Sequence, residues 1–107
     1  MKIEPSKRIA ALRVRLAAFD FLCSGTLLRR RLICGKDPCC CKAKPPSLHG
    51  PYYYWSHRQD GRLLQRVLPA AQAKWMQRAI RNHRRTLRLL RLWEKETVRM
   101  MERQKLP

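Results

Sequence analysis

Acidic residues are scarce in this chain, with 7 Asp and Glu against 25 Lys and Arg in 107 residues. Asp20 falls at a helix end, and Asp37 and Asp60 fall in turns, so no pair of carboxylates is spaced for acid–base work. No nucleophile with a partnering base and no phosphate-cradling loop can be assembled either, and no enzyme is expected. Long apolar runs are also missing. The first apolar stretch, Leu16 to Cys23, is broken by Asp20 and follows Lys7, Arg8, Arg13 and Arg15, a pattern unlike a leader and far short of the roughly 20 residues that span a bilayer. A cytoplasmic location without membrane contact is the expectation. The five cysteines are odd in number and four of them are clustered, which argues for reduced thiols or a metal rather than a disulfide framework.

What is abundant is positive charge. A net charge of +18 makes a compact domain repel itself, and such an excess usually means that part of the surface lies against a polyanion. The excess is concentrated in the flanks. Residues 1–33 hold eight cations and two acids, and residues 74–107 hold 11 cations against Glu94, Glu96 and Glu102.

A single α+β domain over residues 1–107 is expected, with a helix over 4–23, a knuckle and sheet over 26–68, and a long basic helix over 70–104. Pro5 suits a first helical turn and Ser6 can cap it. Ile9, Leu12, Leu16, Phe19 and Cys23 recur at three-four spacing as one apolar stripe, on which Cys23 reads as a small buried residue. Ser24-Gly25 stops this helix. Thr26 to Ile33 reads as a strand whose alternation places Leu28, Arg30 and Leu32 on one face and Leu27, Arg29, Arg31 and Ile33 on the other. Tyr52 to His57 is an aromatic strand, and Gln59-Asp60-Gly61 turns it into Arg62 to Leu68, which completes a three-stranded antiparallel sheet.

Nothing breaks a helix from Ala70 to Gln104, a span of about 50 Å. Met76, Ala79, Ile80, His83, Leu87, Leu90 and Met101 gather on one side of it, the side expected to pack antiparallel on the first helix. Lys74, Arg78, Arg81, Arg85, Arg88 and Arg99 gather nearly opposite. The apolar side, with His83 in it, suits packing better than a lipid surface.

Two constellations carry chemistry. Cys34, Cys39, Cys41 and His49, spaced C-x4-C-x-C-x7-H, supply three thiolates and an imidazole, a donor set for tetrahedral zinc, with Cys40 able to replace either neighbour; the alternative is free thiols and a turn histidine. The second constellation is basic. Arg29, Arg30, Arg31, Arg58, Arg62 and Arg66 on the sheet stand beside Tyr52, Tyr54, Trp55 and His57, and Arg78, Arg81, Arg85 and Arg88 line the last helix. Guanidinium groups meet phosphates or guanine edges, and exposed rings stack on bases. The competing reading of the rings is core, which alternation favours for Tyr53 and Trp55.

The run Cys34-Gly35-Lys36 with Cys39 and Cys41, then His49-Gly50-Pro51-Tyr52-Tyr53-Tyr54 and a glycine-containing turn, resembles the signature of a small prokaryotic domain family of unknown function. That family is often placed near transposases and other mobile elements. The resemblance implies a leading helix, this middle and a long trailing helix over nearly the whole chain, and it departs from the family pattern at Pro38 and Cys40. The expected function is binding of nucleic acid, DNA before RNA, as an accessory of a mobile element. The alternative is a protein-interaction module that dimerises, or pairs with a partner's acidic helix, through the long C-terminal helix.

Overall fold

The computed structural model describes residues 3–32 and 49–104. Its elements run α1 (Lys7–Ala17), β1 (Thr26–Leu32), β2 (His49–Gln59), β3 (Arg62–Leu68) and α2 (Ala70–Arg103). The expected α+β order of helix, antiparallel sheet and long helix is present. The three strands lie in sequence order, β1-β2-β3.

Ser6 caps α1, its hydroxyl accepting the Ile9 N–H at 3.2 Å. The helix then ends at Ala17, earlier than its apolar spacing predicts. Tertiary bonds draw the next residues away from the helix axis and onto α2. Asn82 donates to the Asp20 carboxylate and to the Phe21 carbonyl, both at 2.9 Å, and Arg78 forms an ion pair with Asp20. The Cys23 N–H donates to the Ala79 carbonyl at 3.2 Å. Cys23 is thus half-buried and free, but it reaches α2 through a link and not as the last rung of a helical stripe.

Asp60 and Gly61 both carry positive φ, 52° and 77°, the conformation of a primed two-residue hairpin turn, with Gln59 pairing Arg62. The register between β1 and β2 shifts between Arg30 and Leu32, so strict alternation fails there. Gly50 sits at the same end of the sheet with φ 112°, and a Cβ on it would lie 2.8 Å from the Arg30 carbonyl oxygen. The glycine of the His-Gly-Pro-Tyr block is therefore set by a close approach of two backbones.

α1 runs antiparallel along the C-terminal half of α2, as expected, but on a different face. On α2 the residues Asn82, Thr86, Leu89, Trp93, Glu96 and Met100 are buried or half-buried at three-four spacing, along the seam with α1 and the segments on either side of it. This seam is rotated by roughly 100° from the apolar side that includes Leu87, Leu90 and Met101. Those three are exposed, Met101 by 63%. Apolar spacing is right for the N-terminal part of that side, where Met76, Ala79, Ile80 and His83 are buried or half-buried, but it misses the seam with α1, which contains Asn82, Thr86 and Glu96. Each of the first and last is matched by a partner from the N-terminal segment. Glu96 is 5% exposed and accepts from Arg99 Nε at 2.8 Å and from the Ser6 hydroxyl, with Arg8 at 3.8 Å. These bonds, Arg99 foremost, hold its carboxyl down to about 2.

At the other end of α2, Leu68 of β3 is buried and lines one cleft with Ala79. The sheet thus stands off one end of a helical rod. The radius of gyration is 22.4 Å, against about 13 Å for a compact chain of this length, and the long dimension is 80 Å.

Candidate nucleic-acid interface

On α2, Arg78, Arg81, Arg85, Arg88, Lys95 and Arg99 follow one another at helical spacing and share a face beside the α1 seam. Because α1 lies antiparallel, its Arg15 arrives alongside them. Arg15, Arg85 and Arg88, with Ala18, Phe19 and Leu89, line one hollow of about 290 Å³. Arg15 also lines the next hollow along the groove, with Arg8, Lys95 and Arg99. Arg15 is not among the candidate contacts that the sequence pattern singles out, since on its own element it is only flanking charge. Laying the two helices antiparallel with Leu12 near Leu89 is the signal that finds it.

Not all of these cations are available to a ligand. Arg78 is held by Asp20, whose carboxyl is lowered chiefly by the Phe21 N–H and also by Arg78. Arg8 and Arg99 are held by Glu96. Arg15, Arg81, Arg85, Arg88 and Lys95 are exposed, and none has a carboxylate within ion-pair distance among the described residues. Like charges crowded into one groove raise its potential, and an anion relieves that repulsion.

The sheet divides its arginines between two faces. Cross-strand pairing places Arg29, Arg62 and Arg66 on the face that carries Tyr53, Trp55 and His57, and Arg30 and Arg58 on the face that carries Tyr52 and Tyr54. Arg31 lies at the register shift. The six therefore do not form one surface. Trp55, expected as core, is half-buried on the side facing α2 and is held at its edge and on one face. Its indole N–H donates to the Ser24 carbonyl at 3.1 Å, and the His57 ring stacks on it at 3.8 Å. Gly25 makes the first contact possible, since with φ 121° its missing Cβ would lie 2.5 Å from the Ser56 carbonyl oxygen and 2.6 Å from the indole nitrogen.

Of the expected zinc ligands, Cys34, Cys39 and Cys41 lie outside the described residues. His49 opens β2 opposite Leu32. Among the described residues no three His, Cys, Asp or Glu side chains gather as a metal site. No helix among them is long and apolar enough to cross a membrane.

No curated protein and no solved structure matches the chain. A family model described as a domain of unknown function, DUF6788, matches residues 3–78, which takes in α1, the sheet and the start of α2 but not Arg81, Arg85 or Arg88. The match spans well over half of the chain and is narrower than the near-complete likeness expected from the motifs. This chain belongs to the DUF6788 family of domains of unknown function.

Proposed function

We propose that this protein binds nucleic acid, DNA in preference to RNA, through the basic groove between α1 and α2. The observation that carries the proposal is the convergence of Arg15, Arg85 and Arg88 from two elements on one hollow, without a carboxylate to neutralise them. Arg81 and Lys95 extend the groove along the helix. Two helices packed side by side are about 20 Å across, wider than either groove of B-form DNA, so the cations between them meet the phosphates that rim the duplex. Contacts of this kind go to phosphates and are tolerant of sequence. Arg29, Arg62 and Arg66 on one face of the sheet, and Arg30 and Arg58 on the other, provide further contacts. The role as an accessory of a mobile element belongs to the same proposal. Anisotropy of a labelled duplex, titrated with protein over a range of salt, tests it: affinity should fall steeply as salt rises, and affinity indifferent to salt refutes it.

Zinc held by Cys34, Cys39, Cys41 and His49 belongs to the same proposal. It is supported by His49 pairing with Leu32, the residue two positions before Cys34 in sequence. Metal analysis of purified protein should give one zinc per chain, lost in Cys39→Ser and Cys41→Ser; metal-free protein of unchanged stability refutes it.

A second reading, self-association or a protein partner on α2, is favoured by a separate observation. Leu87, Leu90, Val98 and Met101 are all more than 40% exposed on the side that α1 leaves open. A particle larger than the monomer at high salt, in the absence of nucleic acid, supports this reading.

A further inference from the structure

We propose that the cleft between the sheet and the start of α2 receives an unstacked base from a single-stranded stretch of nucleic acid. This rests on the nucleic-acid reading and adds to it a second site with a different ligand chemistry. One wall is Trp55 of β2, with Arg66 of β3 directly opposite it in register. The other is Phe21 and Trp75, whose rings meet at 4.7 Å and 50°. Leu68, Met76 and Ala79 close the apolar floor, and the cleft measures about 460 Å³, within the range of small-ligand sites.

The lining selects the occupant. Trp75 is 62% exposed and Phe21 45%, so both rings keep much of their surface in water although they touch each other. His57 covers one face of Trp55, so Trp75, the most exposed of the three rings, is the platform for a planar guest. Arg66 supplies a cation for a phosphate or a base edge, and Gln72 supplies an amide that can donate and accept. No carboxylate lines the cleft, so an anionic ligand meets no repulsion there. Bases inside a duplex cannot reach such a site, whereas those of a single strand can stack on it. The groove between the helices then holds backbone, and this cleft holds a base.

Anisotropy with a labelled oligothymidine and with a duplex of equal length, on the wild type and the Trp75→Ala, Trp75→Phe and Arg85→Gln variants, separates the two sites. Trp75→Ala should weaken single-strand binding roughly 5- to 100-fold, the equivalent of one lost stacking contact, and leave duplex affinity and its salt slope unchanged. Trp75→Phe should retain most of the binding, and Arg85→Gln should weaken both ligands. Unchanged single-strand affinity in Trp75→Ala overturns the proposal and leaves the cleft to an apolar side chain of a protein partner. Equal weakening of both ligands also overturns it, because it marks a structural effect. A wild type that binds the duplex but not the single strand defeats this inference alone; one that binds neither defeats the groove as well.

Discussion

Replacing Arg15, Arg85 and Arg88 together by glutamine removes the convergent cations and keeps the polar, exposed surface of the groove. Five cations of the groove are not engaged by carboxylates, namely these three with Arg81 and Lys95. If each displaces one counterion from duplex DNA, the groove gives the logarithm of affinity a slope of about −4.5 against the logarithm of salt, to which sheet arginines add equally in wild type and variant. Between 50 and 200 mM salt that share is a loss of roughly 500-fold for the wild type. With two cations left, the groove's share of the slope becomes about −1.8 and the loss only about 12-fold over the same interval. The side chains are exposed and no carboxylate holds them, so the thermal transition should hardly move. Anisotropy at four or five salt concentrations, with circular dichroism as the folding control, measures both quantities. A triple variant with the wild-type slope would show that the groove is not where phosphates bind, whatever the absolute affinity.

The remaining predictions concern what holds the groove and the cleft in shape. The Glu96 carboxyl sits at about 2, below the ordinary 4.5, because of Arg99 and then the Ser6 hydroxyl and Arg8. A lowered carboxyl stabilises the fold fully above about 4.5, and the contribution is lost as pH falls toward about 2. Glu96→Gln should therefore lower the melting temperature at neutral pH and flatten the acid limb of the stability curve; an unchanged limb would falsify the clamp. Gly25→Ala forces a Cβ into an unfavourable backbone region and against the Ser56 carbonyl, and should cost about 2–4 kcal/mol, seen in urea titration together with altered Trp55 fluorescence. The Thr86 hydroxyl is buried without a partner among the described residues, so Thr86→Val should raise stability by about 1 kcal/mol, and a loss of that size would mean the hydroxyl is satisfied after all.

The elements that follow from local chemistry were legible in the sequence. Asp60-Gly61 fixed the hairpin because few other pairs accept two positive φ values, and the unbroken run of helix formers gave α2 to within a residue or two at each end. The end of α1 was not legible, since no local breaker stands at Ala18 and the helix stops only because Asp20 and Phe21 find Asn82 more than 60 residues away. The side of α2 that meets α1 was not legible for a related reason, although Ala79 and Ile80 nearer its start are buried as their spacing predicts. Its seam uses polar residues whose partners lie in another element, and a hydrophobic pattern cannot register them. Arg85 and Arg88 were found as charge on a helix, but their meeting with Arg15 depended on that seam.

The same polar seam also determines alignment. Fourteen residues separate Ser6 from Asp20, and fourteen separate Asn82 from Glu96, so the two latches close together only in one antiparallel register. Sliding α1 by a turn would keep much of the contact among Ile9, Leu12 and Leu89, but it would take Ser6 and Arg8 away from Glu96, leaving Arg99 alone to hold that charge, and would strand the Asn82 amide. The apolar middle supplies adhesion, and the polar ends act as a gauge. That gauge sets how far Arg15 stands from Arg85 and Arg88, and hence which spacing of phosphates the groove can meet.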